Sequence, residues 1–173
     1  MQSSRNTSHD LESWFTQRVP AGWFTAPPYV RSDRDEILVI GELARPALPA
    51  RAGDHEWALA EAASIQDLRA RTREGRVRIA AEAEHLFGRS VSWGAVCGGT
   101  TELFTTLSVP VMTRLRLGER GVLDTLVEAG VARSRSDALA WCVRLVARHE
   151  KDWISELTQA LVHVKQVRAQ GPP

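Results

Sequence analysis

Residues Val111-Met112-Thr113-Arg114-Leu115-Arg116-Leu117 alternate between two kinds of side chain and are rich in residues that suit a pleated surface, directly after Pro110 and directly before Gly118. A strand has to place its N–H and C=O groups in a ladder, and nothing else in the second half of the chain offers a partner. That demand constrains the fold more than any other feature. The ladder must come from another chain, so a homodimer or a higher oligomer is expected.

The sequence after this strand reads as helical. Val122, Leu123, Leu126 and Val127 form an apolar face on a short helix, Gly130 lies where a left-handed C-terminal cap belongs, and Ser134-Arg135-Ser136-Asp137 offers a capping box for a second helix. The apolar stripe of that helix continues through Leu139, Cys142, Val146, Trp153, Leu157, Leu161, Val164 and Val167 up to Gly171-Pro172-Pro173. Unbroken, it would run ~50 Å at about 1.5 Å per residue; otherwise it breaks near His149-Glu150 into two helices.

Upstream, residues 1–9 are polar and expected to be disordered. Leu11, Trp14, Phe15 and Val19 recur at helical spacing until Pro20, and Tyr29–Ser32 with Ile37–Leu43 predict a β-hairpin across the turn Asp33-Arg34-Asp35. Pro46, Pro49 and Gly53 mark a loop. From Trp57 to Phe87 one long helix is expected, with Ile65, Leu68, Thr72, Ile79, Ala83 and Leu86 along its buried stripe, Gly75 as its weak point and Gly88 as its stop. Ser90–Val96 reads as a strand, Gly98-Gly99 as a turn, and Glu102–Val109 as either a further strand or a short helix. The fold class is therefore α+β: a disordered segment 1–9, a small α+β domain over 10–108 (hairpin, long helix, strand), and a domain over 109–170 with an extended C-terminal helix.

Composition narrows the function classes. A formal net charge of +1 excludes a field strong enough to coat nucleic acid without specificity, so any DNA contact must use a local patch. Cys97 and Cys142 form no C-x-x-C pair, the histidines lack metal-ligand spacing, and no glycine-rich loop leads a strand into a helix. No metal and no cofactor are expected. Cys97-Gly98-Gly99-Thr100 has the look of a nucleophile on a tight turn, yet nothing places His85, His149 or His163 beside it, and no enzyme is expected. The longest aliphatic run, Ile37 to Ile40, is far too short for a bilayer, so a cytoplasmic protein without membrane contact is expected.

Taken together, Leu115-Arg116-Leu117-Gly118, the helix pattern Val122 to Val127, Gly130 and Ser134-Arg135-Ser136-Asp137-Ala138-Leu139 resemble the ribbon-helix-helix (Arc/MetJ/CopG-like) DNA-binding family over residues ~110–150. The resemblance implies that two strands pair antiparallel across a dimer and enter the major groove of double-stranded DNA. Alternation would then turn Thr113, Leu115 and Leu117 into the dimer and leave Met112, Arg114 and Arg116 outward to contact bases. A guanidinium can donate two parallel hydrogen bonds to guanine O6 and N7, worth ~1–3 kcal/mol of discrimination. Around the start of the second helix, Arg133, Ser134, Arg135 and Ser136 would hold phosphates, with Asp137 opposing them unless it turns into the cap. Gly118 stands where the family often has proline, and Met112 where a polar reader is common.

This points to a homodimeric, sequence-specific DNA-binding protein such as a bacterial-type transcriptional regulator or nucleoid-associated factor. Its N-terminal domain would modulate assembly or meet a protein partner. The alternative is an oligomeric scaffold or protein-interaction module that uses the same interwoven dimer without DNA. Trp141 and Trp153 sit at core spacing, whereas Trp23-Phe24 beside Pro27-Pro28 either anchors a partner or folds back on its own domain. Arg69, Arg73 and Arg76 flank one side of the long helix's apolar stripe, and Arg71 and Arg78 the other, the pattern of stems snorkelling beside a core.

Overall fold

Ile37, Val39 and Gly41 make one buried face of a strand, β2 (Glu36–Leu43), and the first part of the chain is assembled on it. A computed structural model describes residues 3–49 and 51–170, which divide into two units at Pro110. Among the described residues there are six helices and a single four-stranded sheet, a mixed α+β structure.

In the first unit, β1 (Tyr29–Ser32) pairs antiparallel with β2, as the hairpin turn predicts. Asp33 Oδ1 accepts from the N–H groups of Asp35 and Glu36, both at 2.8 Å, and these bonds hold its carboxyl below the usual range. The chain then crosses over through α2 (Asp54–Arg71) and α3 (Arg73–Phe87) to β3 (Ser90–Cys97), which lies parallel to β2 with Ile37 opposite Val91 and Val39 opposite Trp93. A turn at Gly98-Gly99 returns it as β4 (Thr100–Leu103), antiparallel to β3, giving the order β1-β2-β3-β4. The interior gathers Leu11 and Phe15 from α1 (Ser3–Arg18), Ile37 and Val39 from β2, Ile65 and Leu68 from α2, Ile79 and Ala83 from α3, and Trp93, Ala95 and Cys97 from β3.

Several sequence expectations change here. The helix begins at Ser3, so residues 3–9, expected to be disordered, are helical; residues 1 and 2 lie outside the described residues. Once Leu11 and Phe15 dock, adding turns to an existing helix costs far less than nucleating one. The single helix expected from Trp57 to Phe87 is two helices, broken at Thr72 and not at Gly75. Thr72 donates its hydroxyl to Leu68 O at 2.6 Å, and Arg76 Nη2 donates to Arg69 O at 2.7 Å, so side chains satisfy carbonyls at the corner. Leu86 is exposed and leaves the expected stripe.

Gly75 instead seats the ring of Trp23, whose Cζ2 lies 2.7 Å from where a Cβ would stand, and Gly41 seats Phe24 even more closely. Trp23 and Phe24 thus fold back onto their own unit, with Trp23 edge-on to Trp93 at 6.3 Å between centroids.

In the second unit, α4 (Leu117–Glu128) and α5 (Arg135–His149) pack around Leu123, Ala132 and Ala138. The stripe after Ser134 breaks at Glu150, and α6 (Lys151–Gln170) follows. Residues 111–116 join no ladder within this chain, and Leu117, expected to end a strand, begins α4 with Gly118 in its first turn. Glu119 starts the helix there by accepting from Arg116 N at 2.6 Å, and the described residues of the second unit contain no strand. Trp153, expected to be packed, is 54% exposed in the isolated chain. Among the described residues no helix is long and apolar enough to cross a membrane.

Because Phe24 covers Gly41 without room for another carbon, Gly41→Ala should destabilise the chain by ~1–3 kcal/mol, the usual cost of overpacking. Gly53→Ala, where a Cβ meets nothing within 4 Å, serves as the control. Thermal unfolding of the two variants measures the difference, and equal midpoints would show that Phe24 does not need the close approach.

Candidate nucleic-acid interface

Residues 105–116 run without regular structure into α4, and Leu115 alone among 111–117 is half-buried, packed against the Leu123, Ala132, Ala138 cluster. The resemblance turns Leu115 inward into a dimer; here it packs on the helix pair of its own chain. Thr113 and Leu117, expected inward as well, are exposed in the single chain, Leu117 by 78%. Met112 is 97% exposed and Arg114 and Arg116 are exposed, and among the described residues neither arginine forms an ion pair. Arg120 Nη1 donates to Leu115 O at 3.0 Å and ties the end of this segment to α4.

The turn between α4 and α5 is built by its sequence. Gly130 takes φ +72, the conformation that ends a helix cheaply only with glycine, and Val131 N donates back to Leu126 O at 3.0 Å. Ser134 caps α5 by accepting from Asp137 N at 3.2 Å. Asp137 turns into the cap and accepts from Arg133 N at 3.1 Å, a bond that is the largest reason its carboxyl lies below the usual range. The carboxylate is therefore bound up in the cap.

The two basic residues beside this cap differ. Arg135 donates from Nε and Nη2 to both oxygens of Asp124 at 2.6 and 2.7 Å, a bidentate clamp between α5 and α4. The clamp lowers the Asp124 carboxyl and raises the Arg135 guanidinium from their ordinary values. Arg133 forms a longer ion pair with Asp137 at 3.7 Å, and its side chain is almost fully exposed. Ser136 is exposed in the first turn of α5. Thus Arg133, Ser134, Arg135 and Ser136 cluster at one helix start, but the fork of Arg135 is already occupied. The Asp124 partner, eleven residues earlier on another helix, had no signal in spacing. Charge is also uneven: residues 111–173 carry ten basic and seven acidic side chains, a net of +3, while residues 1–110 carry twelve basic and fourteen acidic ones, a net of −2.

The first unit holds a polar cluster that sequence reasoning missed. Glu61, 2% exposed, accepts from Arg45 Nε at 2.7 Å, Thr100 Oγ1 at 2.9 Å and Gly99 N at 3.1 Å. Arg45 is the main cause of its lowered pKa, and the guanidinium also stacks 4.2 Å over Trp57. A charged residue in line with Trp57, Ile65 and Leu68 on the buried stripe was the available signal. Beside it, the Cys97 thiol is buried, its Sγ lies 3.6 Å from Ala44 O, and burial pushes its pKa up, the opposite of an activated nucleophile. Among the described residues no group of acidic, histidine and cysteine side chains is placed to hold a metal.

Asp124 and Asp137 have folded-state pKa values below their unfolded ones, so the stability they add is present above the unfolded pKa near ~4 and is lost as pH falls through the folded value. Asp124→Asn should lower the unfolding midpoint at neutral pH and flatten its fall on acidification below about pH 5. Parallel acid profiles for parent and variant would show that the clamp adds nothing.

Residues 9–103 match the family model for the Rv1265-like protein, N-terminal domain, and residues 116–168 match that for the Mb1296 C-terminal domain. The chain is 47% identical over 171 residues to the protein Mb1296 of Mycobacterium bovis and to the protein Rv1265 of Mycobacterium tuberculosis (strain H37Rv), both described as uncharacterized. Each alignment covers 99% of this chain and 74% of the relative. No solved structure gives a significant match. With both halves matched and a shared identity running nearly end to end, the chain belongs to the Rv1265-like family.

Proposed function

We propose that the chain acts as a homodimeric, sequence-specific DNA-binding protein of the ribbon-helix-helix kind, a transcriptional regulator or nucleoid-associated factor. The observation that carries the reading is residues 111–116: exposed except for Leu115, outside any ladder, and leading directly into a helix pair whose second helix starts at a serine cap. In a dimer the two segments would pair as a ribbon, Leu115 would stay inward, and Met112, Arg114 and Arg116 would face bases in the major groove. Ser134 Oγ already accepts from Asp137 N, which leaves its hydroxyl proton free for a phosphate oxygen. Ser136 and Arg133 would join it, while Arg135, held by Asp124, would act more through charge than through its own fork. The net +3 of residues 111–173 supports DNA contact in this half of the chain.

A second reading, an assembly scaffold without DNA, draws on α6, where Trp153, Ile154, Leu157, Leu161 and Val164 are all exposed large apolar side chains. On either reading the first unit would serve assembly or a protein partner.

Selection of duplexes from a genomic library, followed by titration at several salt concentrations, separates the two. Arg116→Ala should weaken the selected site by ~1–3 kcal/mol and non-specific duplex less. Arg133→Ala should weaken all duplexes and flatten the slope of log affinity against log salt by ~0.9. If no duplex is selected and binding occurs only at very low salt, the scaffold reading replaces the DNA-binding one.

A further inference from the structure

Arg69 closes toward the end of α2, and Arg73 and Arg76 lie in the first turn of α3, across the corner at Thr72. Together with Gln66, Val77 and Phe104 they line a concavity of about 470 Å³, within the ~300–1,000 Å³ common for small-ligand clefts. Snorkelling accounts for arginines whose heads stay in water, and Arg69 and Arg73 are exposed. Arg76 is different, being only 7% exposed. Its Nε donates to Thr72 Oγ1 at 3.0 Å and its Nη2 to Arg69 O at 2.7 Å, both neutral acceptors, and its guanidinium stacks 4.7 Å over Phe104.

No negative charge compensates it. Among the described residues none of the three arginines forms an ion pair with a carboxylate, and Glu102, on the adjoining strand, accepts from Gln66 Nε2 at 2.5 Å. A guanidinium withdrawn from water beside two like charges is costly unless an anion joins it. Burial and the charges of Arg69 and Arg73 all lower the Arg76 pKa, the mark of a group crowded by its own sign.

We propose that this concavity binds a small phosphate-bearing anion, gripped by Arg69, Arg73 and Arg76. Arg69 also gives Nη2 to Phe104 O at 3.3 Å, so the exposed Arg73 and the N–H groups that these bonds leave on Arg69 and Arg76 would meet a group with several terminal oxygens and a charge of two or more, and phosphate esters supply both. The concave shape and the depth of Arg76 favour a small ligand over a duplex backbone, which tracks an open surface. The site lies wholly in the first unit and stands independently of the DNA-binding reading of residues 111–170.

Inorganic tripolyphosphate is the probe, titrated by calorimetry into the full chain at constant ionic strength, with citrate as the carboxylate control. Saturable one-site binding is expected with a Kd well below ~1 mM, weakened about tenfold or more by Arg73→Gln and by Arg76→Gln. If Arg76→Gln fails to fold, Arg73→Gln, at an exposed position, carries the test. Arg78→Gln, on the other flank, should bind as the parent does. Three outcomes would overturn the proposal: no saturable binding, equal binding of citrate, or binding indifferent to Arg73→Gln. A fourth is loss of short-duplex binding in Arg73→Gln with no tripolyphosphate binding, which would assign the arginines to nucleic acid.

Discussion

The second unit buries very little. Among the described residues its buried hydrophobic ones are Leu123, Ala132 and Ala138, two of them with only a methyl side chain, and Leu115, Leu126, Val127, Leu139 and Cys142 are partly covered around them. Even domains of ~60 residues that fold alone bury about 60% of their chain's surface, and small ones are marginal. Meanwhile Val143, Val146, Trp153, Leu157 and Leu161 stand in water. Local chemistry shapes this unit well, through the Ser134 cap, the Gly130 turn and the Arg135–Asp124 clamp, but such contacts are worth little unless an apolar interior supports them. A second chain would supply that interior and, for residues 111–116, the missing ladder.

The first unit has the opposite character. Its parallel β2–β3 pair is completed by helices on the crossover and by α1, and aromatic rings from Trp14, Phe15, Phe87, Trp93 and Trp23 meet edge to face through it. Glu61 joins the loop at Arg45 to the turn at Gly99 and Thr100 by charge-assisted bonds. The unit's chemical interest lies at the arginines around Phe104, which no carboxylate among the described residues pairs.

What could be read in the sequence was whatever depends on neighbours in the chain. The hairpin followed from Asp33 and the alternation at Ile37 and Val39, the cap of α5 from Ser134 and Asp137, and the end of α4 from Gly130. The break at Thr72 was not legible, because nothing in residues 69–76 by themselves shows Arg76 reaching back to the Arg69 carbonyl. Gly75 drew attention for the wrong reason, since its role is to seat Trp23 from a distant segment. The occupied fork of Arg135 depends on Asp124, and the burial of Glu61 depends on Thr100, pairings that only the folded chain brings together. On the ribbon reading, strand or coil at residues 111–116 would depend on a second molecule.

Sedimentation equilibrium of the full chain at micromolar concentration tests the central claim most directly, because the ribbon cannot form without a twin. A dimer or a higher even-numbered assembly is expected, with dissociation coupled to loss of helical signal from the second unit. A stable, fully helical monomer would contradict it, since residues 111–116 would then have no ladder and the ribbon-helix-helix reading no basis.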